Sequence, residues 1–226
     1  MKKVGIVGGI SWTSTLDYYR LINEGVNQKL GGLNSAELVL YSLNFAEVQQ
    51  RSWEGVYELL LNACQVLKNA KVDALVLGAN TAHMYADLLE QEVQLPLINI
   101  ITETAQDILA TGVRKVGLLG TKFTMEMDFY RDKLESYGLQ VLIPDSADTR
   151  AYIQHVVKEE LGRGDIRPES KEKFIAIAQE LILQGAEGLI LGCTEIPLLI
   201  SQSDFSFPVF DTTQIHAAAI VDYLLS

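Results

Sequence analysis

The sequence predicts an α/β protein of two similar lobes, each a parallel sheet flanked by helices. Short, continuous apolar runs alternate with longer amphipathic stretches along the whole chain of 226 residues. Such runs are typical of strands buried on both faces. Strands separated by helices pair in parallel through right-handed crossovers, which gives an α/β sheet.

A repeated pattern indicates that the two lobes are copies of one unit. Two pairs of segments resemble each other and lie 112 and 114 positions apart, namely residues 3–9 with 115–121 and residues 72–78 with 186–192. Matched order and spacing are the signature of a duplicated domain. A chance likeness of two apolar strands is the alternative. We expect a first lobe of residues 1–100 plus 208–226 and a second lobe of residues 101–207.

The elements of the first half follow from apolar runs and from their terminating residues. Ser14 or Thr15 is a capping candidate for the first helix, and Gly31-Gly32 ends it. The second helix carries an apolar face from Leu59 to Leu67. Strands are predicted over residues 4–7, 36–41, 74–77 and 97–100. Helices are predicted over residues 14–28, 53–69 and 82–89.

The second half repeats this scheme and adds a closing helix. Gly162-Arg-Gly164 and Pro168 separate two of its helices. Strands are predicted over residues 116–119, 141–143, 189–191 and 209–210. Helices are predicted over residues 102–110, 125–137, 150–161, 169–184 and 213–225.

The bulk properties indicate a cytoplasmic globular protein. The net charge of −11 argues against nucleic acid or an anionic membrane as a partner. No stretch has the roughly 18 apolar residues of a membrane span. Two cysteines in apolar settings form neither a disulfide framework nor a metal cluster.

The loops after Gly78 and Gly192 are the candidate site, because ligands on parallel sheets bind at the carboxyl ends of strands. Cys193 follows a strand and precedes a helix start, where amides and the helix dipole favour a thiolate. Asn80 and Thr194 can donate to a carboxylate, and His83 and Glu195 can titrate. A small core residue is the alternative for Cys193, and it is our interpretation of Cys64.

Several cofactor and metal patterns are absent from the sequence. Gly5-x-x-Gly8-Gly9 is not a dinucleotide fingerprint, and neither a phosphate loop nor a Gly-x-Ser-x-Gly elbow occurs. His83, His155 and His216 lack metal-ligand spacing. We therefore predict chemistry that depends on side chains alone, with no cofactor and no metal.

Five motifs in order over essentially the whole chain resemble those of the aspartate/glutamate racemase family. They are Gly8-Gly-Ile-Ser-Trp12, Asn80-Thr-Ala-His83, Leu119-Gly-Thr-Lys-Phe-Thr-Met-Glu126, Gly192-Cys-Thr-Glu-Ile196 and Asp211-Thr-Thr-Gln-Ile-His216. Ser11-Trp12, Ser14-Thr15 and Tyr18-Tyr19-Arg20 are most similar to a branch of broad-specificity amino-acid racemases.

The resemblance implies a homodimeric isomerase that works without pyridoxal phosphate on an amino acid bound between two lobes. One thiolate removes the α-proton, and a thiol on the opposite face returns one. Cys193 matches the second family cysteine, whereas Ala79 stands at the position of the first. We expect the two loops to face each other across one pocket. The substrate-binding residues expected are Ile10, Ser11, Gln50, Arg51, Asn80, Thr81, Thr121, Thr194 and Glu195.

The loss of the first cysteine leaves three interpretations open. In a racemase, Thr81, His83 or a bound water would serve the face opposite Cys193. A single thiol would also suffice for decarboxylation of a malonate-like acid. A binding protein that has lost turnover is the third interpretation. Tyr152 stands near the point where related members carry a lysine that contacts an acidic substrate side chain.

Overall fold

Two separate four-stranded sheets, both fully parallel, form the framework in a computed structural model that describes residues 1–51 and 53–226. The strand orders are β2-β1-β3-β4 and β6-β5-β7-β8. The strands are β1 (Val4–Gly8), β2 (Leu38–Ser42), β3 (Ala74–Leu77), β4 (Leu97–Ile98), β5 (Lys115–Gly120), β6 (Gln140–Leu142), β7 (Gly188–Gly192) and β8 (Val209–Asp211). The identical orders agree with a duplication, and the predicted fold class is confirmed.

Helices connect the strands in both halves. They are α1 (Trp12–Leu30), α2 (Phe45–Arg51), α3 (Tyr57–Asn69), α4 (Ala86–Val93), α5 (Ile100–Ala110), α6 (Lys122–Glu126), α7 (Asp128–Ser136), α8 (Ala147–His155), α9 (Pro168–Leu183) and α10 (Thr212–Leu225). Within the described residues, none of these helices combines the length and the apolarity needed to cross a membrane.

Side chains of each buried strand alternate between two apolar layers, as the period of a strand requires. In β3, Leu75 and Leu77 pack in one buried cluster, whereas Ala74 and Val76 pack in another. The first cluster includes residues of α3 and α4, and the second includes residues of α1 and α10. Helices on both faces explain why this strand is a continuous apolar run rather than an alternating one.

The chain divides into two compact units, residues 1–100 with 213–226 and residues 101–212. Residues 208–212, which were expected in the first lobe, belong to the second unit. Val209–Asp211 forms β8, which pairs with β7 and thereby extends the second sheet. The chain returns to the first unit only at Thr213, one residue into α10.

Several helix bounds differ from the prediction for local reasons. Residues 45–51 form α2, which was not predicted. The helix predicted over 125–137 is two helices, because Met127 adopts an extended conformation with φ −84° and ψ 148°. The helix predicted over 150–161 continues beyond His155 as a π-helical turn over Val156–Glu160. Such backbone changes leave little trace in an apolar pattern.

A buried polar connection joins three elements of the first unit. The Tyr18 hydroxyl on α1 lies 2.8 Å from His216 Nδ1 on α10. His216 Nε2 lies 2.8 Å from the carbonyl oxygen of Ile98 in β4. A carbonyl only accepts, so Nε2 carries the proton and Nδ1 accepts from the hydroxyl. Both ring nitrogens of this fully buried imidazole are therefore satisfied while it is neutral.

We predict that acid destabilises the protein through His216. Burial, with a smaller contribution from nearby His83, lowers the pKa of His216 from its ordinary 6.5 to about 3. The unfolded chain therefore binds a proton that the folded chain rejects, and the free energy of unfolding falls as pH decreases from 6.5 towards about 3. Urea unfolding across that window measures the slope.

The variant His216→Gln keeps a donor for the Ile98 carbonyl and removes the titrating group, so its slope in that window should be shallower. His155→Gln, which removes an exposed imidazole, is the matched control and should keep the wild-type slope. Equal slopes in the wild type and in His216→Gln would contradict the prediction.

Candidate functional site

Each sheet ends at its carboxyl edge in two neighbouring loops that start from paired central strands. In the second unit, Gly120 of β5 pairs with Gly192 of β7, so Thr121 and Cys193 leave the sheet side by side. In the first unit, Val7 of β1 pairs with Leu77 of β3. The loop of residues 9–11 and the loop of residues 78–81 therefore share one edge.

The glycine before each candidate residue has little room for a side chain. A Cβ on Gly78 would lie 3.1 Å from the carbonyl oxygen of Val7. A Cβ on Gly192 would lie 2.8 Å from a Leu118 methyl and 3.2 Å from the carbonyl oxygen of Leu119. Ala79 and Cys193 thus occupy equivalent places, each directly after a glycine that ends a central strand.

A thiol–carboxylate pair is the chemical core of the second unit. The Cys193 thiol donates to Glu195 Oε2 over 2.9 Å, and the Thr194 hydroxyl donates to the same oxygen over 2.8 Å. Cys193 and Glu195 are 6% and 8% exposed. The tight turn at 193–198, in which Ile196 N donates to the Cys193 carbonyl, places residues two apart in hydrogen-bond contact. The spacing Cys-x-Glu was a signal for this contact that the sequence analysis did not use.

The expectation of a stabilised thiolate at Cys193 is wrong. Burial, followed by the adjacent Glu195 carboxylate, raises the pKa of Cys193 well above its ordinary value. Backbone amides of Thr194 and Glu195 act in the opposite direction, but their effect is smaller. Only a three-residue 3₁₀ turn, Ile196–Leu198, follows the cysteine, so no long helix contributes a dipole there.

Thr121 lies in the neighbouring loop of the same unit. Its hydroxyl caps α6 by accepting from Thr124 N over 3.3 Å, and it lies 3.0 Å from the Thr124 hydroxyl. This capping fixes the conformation of the loop beside Cys193.

The first unit holds Ile10, Ser11, Asn80 and Thr81 in its two neighbouring loops. Thr15 organises the first loop, because its hydroxyl accepts from Gly9 N over 2.9 Å and donates to the Ser11 carbonyl over 3.0 Å. Ser11 adopts a left-handed φ of 81°, and its hydroxyl lies 2.6 Å from that of Thr13. Asn80 and Thr81 are buried.

His83 belongs to the second of these loops, and its ring is bonded to main chain on both sides. Nδ1 lies 2.9 Å from the Ala79 carbonyl oxygen, and Ile100 N donates to Nε2 over 3.2 Å. A ring held in this way cannot deliver a proton without breaking one of these bonds. The geometry therefore argues against His83 as an acid/base.

Gln50 and Arg51 lie apart from the buried groups. Both are exposed at the end of α2. Arg51 pairs with Glu47 over 2.9 Å, one helical turn earlier, and its side chain is 46% exposed. This is the geometry of a solvated helix-end arginine rather than of a preformed carboxylate clamp.

Cys64 and Tyr152 both pack against other parts of the protein. Cys64 is buried in α3, where burial raises its pKa to about 12. The Tyr152 hydroxyl donates to Ser170 Oγ over 3.3 Å, and Lys173 Nζ lies 3.7 Å from the centre of its ring. Among residues 1–51 and 53–226, no group of three His, Cys, Asp or Glu side chains could hold a metal ion.

Comparisons with known proteins give one consistent result. The family model of the Asp/Glu/hydantoin racemases matches residues 7–220. The chain is 44% identical to a Yersinia pestis protein provisionally assigned as an Asp/Glu racemase, over 100% of both chains, with a TM-score of 0.93.

Two further relatives cover nearly the whole chain. An aspartate racemase homologue from Pyrococcus horikoshii OT3 is 39% identical over 100% of both chains, with a TM-score of 0.88. The broad specificity amino-acid racemase RacX of Bacillus subtilis is 23% identical over 99% of this chain and 98% of its own length. With its fold, its strand-end loops and a family match over most of its length, this chain belongs to the Asp/Glu/hydantoin racemase family.

Proposed function

We propose that the protein is an amino-acid racemase that works without pyridoxal phosphate and uses Cys193 as its acid/base. The hydrogen bond from the buried Cys193 thiol to the Glu195 carboxylate is the observation that supports this function most directly. It joins a nucleophilic sulfur to a proton acceptor at the carboxyl end of a central strand, in a chain of the racemase family.

The pair supports a defined sequence of proton transfers. Because the pKa of Cys193 is raised, the resting group is a thiol, and Glu195 Oε2 at 2.9 Å is the acceptor for its proton. The resulting thiolate removes the α-proton of the bound amino acid, and the electron pair of the broken C–H bond remains on the planar intermediate. The new thiol exchanges its proton with solvent and then delivers a solvent-derived proton to carbon, and the proton held by Glu195 returns to the sulfur to restore the resting pair.

The outcome depends on the face to which the proton returns. Return from Cys193 restores the starting enantiomer, because removal and delivery then use the same face. Inversion needs a donor on the other face, and the methyl group of Ala79, at the position of the first family cysteine, provides none. Thr81 or water is the remaining donor. We therefore infer that α-proton exchange is faster than inversion.

The substrate in this proposal is a small amino acid whose carboxylate binds Asn80, Thr81, Thr121 and Thr194. These residues lie at strand ends or turn starts, where amide and hydroxyl donors suit an anion, but Thr194 can contribute only its main-chain amide because its hydroxyl donates to Glu195. Aspartate and glutamate appear in the names of relatives, and one relative is named for broad specificity. Arg51 is exposed and already paired with Glu47, so we infer that neutral donors, rather than this arginine, bind the substrate carboxylate.

Four further properties belong to this proposal. They are a cytoplasmic homodimer, no cofactor, and no nucleic-acid or membrane partner. The single thiol also fits decarboxylation of a malonate-like acid, in which one protonation suffices. An assay in deuterium oxide separates the functions, because a racemase exchanges the α-proton, a decarboxylase releases carbon dioxide, and a binder is only stabilised by its ligand.

We predict that Cys193→Ala lowers the rate of α-proton exchange by about 10²–10⁴-fold, since it removes the proton carrier. Deuterium incorporation into a panel of amino acids, followed by NMR, measures the rate. Cys64→Ala removes the other cysteine from the core and should retain the wild-type rate per folded molecule. Exchange that survives in Cys193→Ala would exclude the sulfur from the reaction.

We predict that Ala79→Cys raises the rate of inversion by about 10²-fold, because a thiol then stands at the position of the first family cysteine. Inversion is followed by circular dichroism from each enantiomer, and exchange is followed in parallel. Ala79→Ser is the control, because a hydroxyl of similar size is a far weaker acid. A wild-type protein that inverts as fast as it exchanges would show that another group already acts on that face.

We predict that Glu195→Gln makes Cys193 more acidic and the enzyme slower. The Glu195 charge raises the pKa of Cys193, so its removal moves thiolate formation to lower pH, while burial still holds that pKa above its ordinary value. Exchange should nevertheless fall about tenfold or more, because the proton acceptor is lost. NMR of carbon-13-labelled cysteine follows the thiolate.

The exposed Glu180→Gln on α9 is the charge-matched control and should leave both measurements unchanged. If Glu195→Gln exchanges as fast as the wild type, Glu195 is not the proton acceptor.

A further inference from the structure

The two hydrogen bonds of His83 define its protonation state. A backbone N–H can only donate, so Nε2, which faces Ile100 N at 3.2 Å, carries a lone pair. A carbonyl can only accept, so Nδ1, which faces the Ala79 oxygen at 2.9 Å, carries the proton. The ring is 5% exposed. His83 is therefore a neutral imidazole with the proton on Nδ1.

These bonds connect two segments that are distant along the chain. The Ala79 carbonyl lies between the end of β3 and Asn80, at the start of the proposed carboxylate-binding loop. Ile100 is the first residue of α5 and the last residue of the first unit, where the chain leaves that unit. A local bond from His83 N to the Asn80 carbonyl over 3.1 Å completes the turn around the ring.

A second histidine, His216 on α10, contacts the segment of residues 98–100, which we call the crossover segment. His216 donates to the Ile98 carbonyl, two residues before Ile100, and accepts from Tyr18. The rings of His83 and His216 lie edge to face with centroids 5.7 Å apart. The segment of residues 98–100 thus donates to His83 through Ile100 and accepts from His216 through Ile98, and the two imidazoles are opposite tautomers.

We propose that His83 is a positioning residue whose two hydrogen bonds connect the main chain of residues 79–81 to the crossover segment at residues 98–100. We call this pair of hydrogen bonds the His83 clamp. His83 moves no proton. It places the amide and hydroxyl donors of Asn80 and Thr81 through the bond to Ala79, and the bond to Ile100 keeps the ring in place. The consequence for catalysis rests on the proposed racemase function, whereas the clamp itself does not.

Two variants each keep one half of the clamp. In His83→Asn, the amide nitrogen can take the place of Nδ1 and retain the Ala79 bond. In His83→Gln, the amide oxygen can take the place of Nε2 and retain the Ile100 bond. His83→Leu loses both bonds. His155→Gln, on the exposed surface, is the matched control for loss of an imidazole.

We expect kcat/KM for α-proton exchange to fall about tenfold in each half-clamp variant and about 10²-fold in His83→Leu, because a small misplacement of binding groups has effects of this size. The shape of the pH–rate profile should stay that of the wild type. Equal inactivation of all three variants with loss of an ionisation from that profile would make His83 an acid/base. Unchanged kcat/KM with lowered stability would make it merely structural. Either result overturns the proposal.

Two measurements that need no activity test the clamp itself. Long-range proton–nitrogen NMR should show His83 with its proton on Nδ1 and His216 with its proton on Nε2, assigned through the His83→Gln and His216→Gln variants. Amide hydrogen exchange at Asn80 and Thr81 should be faster in the half-clamp variants than in His155→Gln. A proton on Nε2 of His83, or unchanged amide exchange, would refute the clamp. A wild-type protein that exchanges no α-protons would refute only the racemase function.

Discussion

Parallel pairing of the two central strands in each sheet is the constraint on which the rest of the structure depends. It brings the loops after β1 and β3 to one edge of the first sheet, and those after β5 and β7 to one edge of the second. One closely packed glycine directly follows β3 and another ends β7, so the next residue leaves the sheet at a fixed place. A change of register by one residue would turn these side chains to the other face.

The duplicated scaffold carries unequal chemistry. In one unit the residue after the strand-ending glycine is a thiol in contact with a carboxylate, and in the other it is a methyl group. The fold thus repeats more faithfully than the reactive groups do. Racemisation needs proton transfer on two faces, so this asymmetry bears on inversion rather than on the first abstraction of a proton.

Buried polar groups in the first unit are used to hold backbone. His83 and His216 are both neutral, and each is held by one carbonyl acceptor and one donor. Removing one partner from such a buried group costs about 1–3 kcal/mol, so these rings specify one arrangement of the segments they join. Where these histidines lie close to site residues along the chain, their role is to position the backbone.

The sequence by itself determined the fold class, the order of most strands and helices and the family resemblance, and it indicated Cys193 as the candidate acid/base. These depend on local periodicity, on glycines at strand ends and on motifs of contiguous residues. Only the tertiary structure decided the acidity of the Cys193 thiol, which the sequence analysis predicted in the wrong direction. It also decided the tautomer of His83, the membership of β8 in the second sheet and the break at Met127. Burial sets the first of these properties, a backbone donor seventeen positions away sets the second, and strand pairing between distant segments sets the third. The neighbouring residues in the sequence do not reveal them.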